Sequence, residues 1–179
     1  PGTLFFALSG LETDGNLYID EAISRGATAI ISEKESKPQR QVTYIQVVNI
    51  KDILAEVARR FYDNPERNIE LIGVTGTNGK TTVAYLLKYL LEKSGNNVGM
   101  ILTVHYYLGQ RTLPAYRTTP DAVSIYEMLS QMRDTKCSEA VMEVSTHGID
   151  QGRVSGLKFK IAAFLNLTRD HIDYHHSME

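Results

Sequence analysis

The stretch GVTGTNGKTT, residues 73–82, decides the fold of this chain. It ends in the Gly-Lys-Thr of a phosphate-binding loop, whose usual spacing is G-x-x-x-x-G-K-[ST]. Counting back five positions from Gly79 reaches Val74, and the glycines stand at positions 73 and 76 instead. The apolar run 69–74 precedes the loop, and a helical stripe of leucines follows it. A strand, a glycine-rich turn and a helix in this order predict a nucleotide-binding loop in a mostly parallel α/β sheet.

The residue types of this loop suit a phosphate ligand. Backbone N–H groups at the start of a helix point toward an anion, and the helix dipole favours negative charge there. Lys80 supplies a cation for the terminal phosphates of a nucleotide, and the hydroxyl of Thr81 is placed to bind Mg²⁺. The alternative is a tight turn with a chance lysine, which the flanking strand and helix disfavour.

Short apolar runs alternate with helical patterns in both halves of the chain. The turn-forming stretch 62–68 separates the halves, and we predict a domain boundary between residues 67 and 68. Alternation of strands and helices predicts a parallel sheet with helices on both faces in each half. In the second half, Thr119 is predicted to cap a helix with Pro120 in its first turn. The predicted buried strands are 3–8, 28–32, 43–48, 69–74, 97–102, 139–144 and 161–167, with a hairpin over 104–116.

Composition narrows the classes of function. The chain has 179 residues and a net charge of −2, which offers no large basic field for nucleic acid. No apolar run approaches the roughly 20 residues that cross a bilayer. Cys137 is the only cysteine, which suits a reducing compartment such as the cytoplasm. Neither end has the pattern of a natural terminus, and we expect the chain to be a fragment of a longer protein.

The loop and four later motifs resemble the Mur ligase family. The family's loop pattern is G-x-x-G-T-N-G-K-[ST]-[ST], which 73–82 matches. The later motifs are RTTPD (117–121), MEVSTHGID (142–150), QGRV (151–154) and NLTRDHIDYHHSME (166–179). The resemblance covers nearly the whole chain and implies a small N-terminal UDP-substrate-binding domain, 1–67, and a central ATP-binding domain, 68–179. It also implies that a C-terminal amino-acid-binding domain and a carbamylated lysine lie outside this chain.

The best match within the family is the branch that adds the third residue of the peptidoglycan stem peptide. This resemblance implies an ATP-dependent amide ligase that extends UDP-MurNAc-L-Ala-D-Glu through an acyl phosphate. The implied cofactors are ATP and Mg²⁺, and the implied amino acid is meso-diaminopimelate or L-lysine. Neither the amino acid nor the oligomeric state can be read from these residues.

Two residues stand out as metal ligands. Glu143 is the only charge in an apolar run, and a buried carboxylate is costly unless it is paired or bound to a metal. At the end of a strand it could face the phosphates, and the resemblance assigns it to Mg²⁺. His171 follows the last predicted strand, and the resemblance makes it a ligand of a second Mg²⁺. From the residues alone, a structural ion pair for Glu143 and a structural histidine remain open.

The resemblance also assigns the remaining site residues. Lys80, Glu143 and His171 are the implied catalytic residues, and Thr81 joins Glu143 and His171 at the metal. The implied ATP contacts are Gly76, Thr77, Asn78, Gly79, Lys80, Thr81 and Thr82. The implied contacts of the UDP-linked substrate are Thr118, Thr119, Ser145, Gln151 and Arg153, each of which could instead be an ordinary surface polar residue.

Three other functions remain open. A related ligase of the cyanophycin or folylpolyglutamate synthetase type would share the loop, although RTTPD and RDHIDYH weigh against folate. A P-loop kinase or GTPase switch would also share it, but the guanine-reading N-K-x-D pattern is missing from the sequence. The third alternative is that the chain as it stands binds ligands without turnover.

Overall fold

The computed structural model describes residues 2–10, 13–35 and 42–168, and all structural statements concern these residues. Contacts divide the chain into two compact units, the first ending at Glu56 and the second beginning at Val57. Each unit has a sheet of its own, as the restart of strand–helix alternation predicted. The division by contacts falls inside a helix, Ile50–Phe61, so the boundary between residues 67 and 68 stays a prediction.

The first unit is a three-stranded parallel sheet with one helix beside it. Strands β1 (Thr3–Phe6), β2 (Ala27–Ser32) and β3 (Thr43–Gln46) lie in chain order. A single 3₁₀ turn, Gly15–Tyr18, leads into helix α1 (Ile19–Ser24). Its core consists of small and branched apolar side chains that β2 and α1 share with the end of β1: Ala7, Ile19, Ile23, Ala27 and Ile30.

Helix α2 (Ile50–Phe61) begins where the sequence predicted. The side-chain oxygen of Asn49 accepts hydrogen bonds from the N–H groups of Lys51 and Asp52, at 3.0 and 3.2 Å. These groups have no partner inside the helix, so the asparagine stabilises its first turn.

The second unit is a six-stranded sheet in the order β7-β6-β5-β8-β4-β9. Strands β4, β5, β8 and β9 are parallel, and the hairpin of β6 and β7 adds antiparallel strands at one end. This confirms the predicted α/β class with a mostly parallel sheet. The strands are β4 (Glu70–Thr75), β5 (Val98–Ile101), β6 (His105–Tyr107), β7 (Thr112–Pro114), β8 (Glu139–Glu143) and β9 (Phe159–Phe164), and the helices are α3 (Lys80–Lys93), α4 (Ala122–Asp134) and α5 (Thr146–Asp150).

Helices cover both faces of the second sheet. On one face, Val83, Leu87 and Leu91 of α3 pack on a core from β4, β5 and β8. On the other face, the side chain of Met132 from α4 fills the space that a side chain at position 99 would need. Gly99 therefore lets α4 lie close to β5. Within the described residues, no helix is both long and apolar enough to cross a membrane.

Strand β9 is more exposed than the sequence predicted. Ile161 and Phe164 are 53 % and 67 % exposed, whereas a buried strand was expected. Among the described strands, β9 lies at the end of the sheet and pairs with β4 alone. The prediction of a buried strand does not hold within the described residues, because an apolar run does not reveal which elements will cover the faces of a strand.

The predicted cap of α4 was also wrong. The helix begins at Ala122, and the carboxylate of Asp121 accepts from the N–H of Ser124 at 3.0 Å. Aspartate is as good a cap as threonine and stands two residues nearer the helix. Thr119 is fully buried and its hydroxyl is bound elsewhere.

Candidate functional site

The glycine-rich loop joins β4 to α3 and closes around the ammonium of Lys80. Gly76 and Gly79 have φ angles of +135° and +89°, which side chains with a Cβ rarely adopt. The Nζ of Lys80 donates to the carbonyl oxygens of Gly76 at 2.6 Å and Thr77 at 2.9 Å. The loop thus holds a cation at the N-terminus of a 14-residue helix, where both the charge and the helix dipole favour an anion.

Glu143 lies at the carboxyl end of β8, directly beside the strand that enters the loop. It pairs with Val74 of β4 and is only 1 % exposed. Its Oε1 accepts from the hydroxyl of Thr81 at 2.9 Å and from the N–H of Thr103 at 3.2 Å. Its Oε2 accepts from the hydroxyl of Thr103 at 2.8 Å. A buried carboxylate is thereby satisfied by neutral donors at the edge of the phosphate loop.

Thr103 was missed by the sequence analysis. It stands two residues after β5, at the same sheet edge as Glu143 and the loop. The signal was available, because the carboxyl ends of parallel strands are where ligands of open α/β sheets bind. The residue was overlooked because a threonine in a short turn has no distinctive pattern around it.

The predicted substrate residues Thr119 and Ser145 tie the end of β8 to the start of α5. The hydroxyl of Thr119 donates to the carbonyl of Glu143 at 3.0 Å and accepts from the N–H of Ser145 at 2.9 Å. Ser145 caps α5 by accepting from the N–H of Gly148 at 3.1 Å. Because Thr119 is fully buried, its side chain positions the main chain here, and a substrate contact through it stays a prediction.

Gln151 and Arg153 extend this group of residues. The guanidinium of Arg153 donates to the carbonyl of Thr119 at 2.7 Å and to Oε1 of Gln151 at 3.1 Å. Thr118 is linked to Glu143 through Thr103, since the hydroxyl oxygens of Thr118 and Thr103 are 3.1 Å apart. The predicted substrate residues are therefore hydrogen-bonded into one group with Glu143, and their contact with a substrate stays a prediction.

The segment after β9 binds the phosphate loop through Asn166. The N–H of Thr77 donates to the carbonyl of Asn166 at 3.1 Å. The side-chain amide of Asn166 accepts from the N–H of Asn78 at 3.0 Å and donates to the carbonyl of Asn78 at 2.9 Å. A side chain on Gly76 would come within 2.9 Å of the Asn166 carbonyl, so the close contact requires glycine. His171, predicted as a catalytic and metal residue, lies outside the described residues.

A pair of tyrosines lies on the next turn of α3. The hydroxyls of Tyr85 and Tyr107 are 3.0 Å apart, and their rings meet edge to face. The hydrogen bond to Tyr107, together with partial burial, raises the pKa of Tyr85 to about 12. Tyr85 is one helical turn beyond Thr81, so this pair borders the site on the side of β6.

The donor atoms at the loop suit Mg²⁺. This ion prefers oxygen and is commonly held by one or two carboxylates together with substrate phosphates and water. The Glu143 carboxylate and the Thr81 hydroxyl supply oxygens of this kind next to the phosphate loop. Among the described residues, no group of three or more His, Cys, Asp or Glu side chains is arranged to hold a metal ion.

The fold and this site define an α/β protein with a glycine-rich loop between a strand and a helix, and family models narrow the class further. The model described as "Mur ligase middle domain" matches residues 74–179. The model described as "Mur ligase family, catalytic domain" matches residues 1–62. The chain belongs to the Mur ligase family.

Curated relatives share sequence over nearly the whole chain. Proteins of Bacteroides thetaiotaomicron and Bacteroides fragilis are 48 % and 46 % identical over 179 residues, 99 % of this chain. A protein of Alkaliphilus metalliredigens is 40 % identical over 179 residues. All three are named UDP-N-acetylmuramoyl-L-alanyl-D-glutamate–2,6-diaminopimelate ligase. The chain spans 36 to 37 % of the length of these relatives.

Solved structures agree with this relationship. A structure of a UDP-N-acetylmuramoyl-L-alanyl-D-glutamate–2,6-diaminopimelate ligase matches 98 % of the chain with a TM-score of 0.81 and 28 % identity, and the chain covers 36 % of it. The MurF ligase of Thermotoga maritima, in complex with ADP, matches 99 % of the chain with a TM-score of 0.59 and 27 % identity, and the chain covers 37 % of it.

Proposed function

We propose that the full-length protein is an ATP-dependent ligase that adds the third amino acid to UDP-MurNAc-L-Ala-D-Glu. The relatives that share 40 to 48 % identity over the chain are named for this dipeptide substrate and for 2,6-diaminopimelate. The proposed amino acid is therefore meso-diaminopimelate, with L-lysine as the alternative. The proposed nucleotide is ATP, supported by the ADP complex of a 27 % identical MurF ligase.

One observation carries this proposal: the hydroxyl of Thr81 is bound to the buried carboxylate of Glu143 at 2.9 Å. Thr81 belongs to the nucleotide loop, whereas Glu143 is hydrogen-bonded through Thr103 toward Thr118. A phosphoryl group held at the loop would thus lie beside the residues proposed to bind the acceptor. Such an arrangement suits transfer of the γ-phosphoryl group to a substrate carboxylate.

The proposed reaction has two steps. An oxygen of the D-Glu γ-carboxylate attacks the γ-phosphorus of ATP, so an acyl phosphate forms and ADP leaves. The amino group of the incoming amino acid then attacks the acyl carbon, loses a proton and forms an amide as phosphate leaves. ATP is required because a carboxylate is a poor electrophile, whereas an acyl phosphate has a good leaving group.

Residues of this chain would bind and orient the reacting groups. Lys80 would leave the carbonyls of its own loop to contact the terminal phosphates, where it offsets the negative charge on the transferred group. Glu143 and Thr81, with His171, would hold Mg²⁺, which supplies electrostatic stabilisation of the phosphates when bound. Thr118, Ser145, Gln151 and Arg153 would orient the UDP-linked substrate, and a guanidinium suits its carboxylate or diphosphate.

We place the protein in the cytoplasm, because its single cysteine suits a reducing compartment and its proposed nucleotide substrates are made there. The proposed partners are the UDP-linked dipeptide and the incoming amino acid, and the net charge of −2 offers no large basic field for nucleic acid.

Phosphate release by the purified full-length protein tests the proposal. Release is expected to require ATP, Mg²⁺, UDP-MurNAc-L-Ala-D-Glu and one amino acid together, and mass spectrometry should detect the UDP-linked tripeptide. Meso-diaminopimelate and L-lysine are compared as the amino acid. Turnover with a folate or cyanophycin acceptor instead of the UDP-linked dipeptide would contradict the proposal.

A further inference from the structure

We propose that Thr103 is a positioning residue that orients Glu143 toward the phosphate loop and links it to Thr118 on the acceptor side. The inference rests on the proposed function and concerns a residue to which no role has been assigned. Thr103 follows β5 at the carboxyl edge of the sheet, between the loop and the turn that precedes α4.

Thr103 contacts both oxygens of the Glu143 carboxylate. Its N–H donates to Oε1 at 3.2 Å, and its hydroxyl donates to Oε2 at 2.8 Å. Two contacts from one residue fix the rotation of the carboxylate plane, which a single hydrogen bond would leave free. Oε1 is at the same time 2.9 Å from the hydroxyl of Thr81, so the fixed orientation directs that oxygen to the nucleotide loop.

The hydroxyl of Thr103 also contacts Thr118, one of the residues proposed to bind the UDP-linked substrate. Thr103 and Thr118 hydroxyl oxygens are 3.1 Å apart. Thr103 is the donor in both contacts, to Oε2 of Glu143 at 2.8 Å and to the hydroxyl of Thr118 at 3.1 Å. Its hydroxyl has a single proton, which these two acceptors share. Thr118 is therefore the acceptor here, and its own proton is left to donate to a substrate.

The exposure of the Thr103 side chain distinguishes the proposed positioning role from a role in packing. Glu143 is buried, whereas Thr103 is exposed and Thr118 half-buried. Thr103 therefore contributes little apolar packing, and its hydroxyl is placed where bound substrates would cover it. Groups that orient a metal-binding carboxylate typically change metal affinity or activity about 10- to 100-fold when they are removed.

The test compares Thr103→Val with Thr103→Ser in the full-length protein. Valine keeps the shape and the N–H but removes the hydroxyl, whereas serine retains both donors. We expect Thr103→Val to raise the half-saturating Mg²⁺ concentration or lower kcat about 10- to 100-fold. Thr103→Ser should restore both values toward wild type. Thr112→Val, an exposed threonine on β7, is the matched control.

A second measurement addresses Thr118. If the two hydroxyls act together, Thr118→Val should raise the KM of the UDP-linked substrate less in the Thr103→Val background than in wild type, because effects of contacting residues are not additive. Thr103→Ala, which removes the same hydroxyl with less bulk, replaces valine if that variant does not fold.

The outcomes distinguish this inference from the proposed function. A wild-type protein without ligase activity would overturn the proposed function. An active wild type in which both hydroxyl-lacking variants keep the wild-type Mg²⁺ dependence and kcat would overturn the role of Thr103 alone. A lower melting temperature with unchanged Mg²⁺ dependence would likewise leave Thr103 a structural residue.

Discussion

The hydroxyl of Thr81 donates to Oε1 of Glu143 at 2.9 Å, across 62 positions of sequence. The contact exists because β4 and β8 are parallel neighbours in which Val74 pairs with Glu143. The loop that follows β4 therefore turns back over the end of β8. Thr81 and Glu143, which are both proposed to bind Mg²⁺, are therefore hydrogen-bonded to each other in the protein itself. This contact helps to satisfy the buried carboxylate of Glu143.

Glu143→Gln in the full-length protein tests the proposed metal role. The amide keeps the shape but removes the charge, so we expect ATP-dependent turnover to fall about 100-fold or more. Binding of the UDP-linked substrate should change far less. The amide NH₂ cannot accept from Thr81 or Thr103, so the free energy of unfolding should also fall by about 1–3 kcal/mol. Mg²⁺ titrations of turnover, substrate binding and thermal unfolding measure these quantities.

Glu139→Gln is the control for that variant, since Glu139 lies at the opposite end of β8 and is also buried. It should keep the wild-type requirement for Mg²⁺. If Glu143→Gln loses stability with an unaltered Mg²⁺ requirement, Glu143 is a structural residue.

Lys80→Ala should abolish ligation and leave the fold intact. Within the part of the chain that the structure describes, Lys80 donates to two carbonyls of its own loop, at 2.6 and 2.9 Å, so its removal leaves the core of the sheet unchanged. Loss of a charge that stabilises a transferred phosphoryl group costs about 100-fold or more in kcat. Phosphate release and thermal melting are compared with those of Lys93→Ala, at the far end of the same helix. Near-normal turnover with an unchanged melting curve would refute the assignment.

Asn166→Ala should weaken nucleotide binding. The amide of Asn166 bonds both the N–H and the carbonyl of Asn78, so its loss frees one side of the phosphate loop. Each such hydrogen bond contributes about 0.5–1.5 kcal/mol. We expect the Kd of ATP to rise by about tenfold if that energy is lost from the bound loop, as calorimetry would measure. Asn68→Ala, at an exposed position, is the control, and equal ATP affinity in both variants would contradict the role of Asn166.

Tyr107→Phe should lower the pKa of Tyr85 from about 12 toward its ordinary value of 10.0, because the hydrogen bond between the two hydroxyls is the largest cause of the shift. A pKa raised in the folded state means that this contact stabilises the protein below about pH 10. That stability is then lost as the pH rises from about 10 to about 12. Carbon NMR of labelled tyrosine in the variant and wild type follows the titration directly. A Tyr85 pKa that stays at about 12 without Tyr107 would show that burial alone causes the shift.

Local patterns were enough to predict several features of this protein. The loop at 73–82 was readable because its glycines and lysine have fixed positions relative to a strand and a helix. The cap at Asn49 and the hairpin of β6 and β7 followed from residues that act on their immediate neighbours. Glu143 was conspicuous because a lone carboxylate in an apolar run needs a partner.

The identity of those partners depended on the order of strands in the sheet. The order β5-β8-β4-β9 does not follow the chain, and it brings together strand ends that are 40 to 88 residues apart, as for Thr103 with Glu143 and Asn78 with Asn166. Burial of Thr119 and exposure of β9 likewise depend on which elements lie beside them. Periodicity and motifs describe what each segment can form, whereas packing between distant segments determines which polar groups meet.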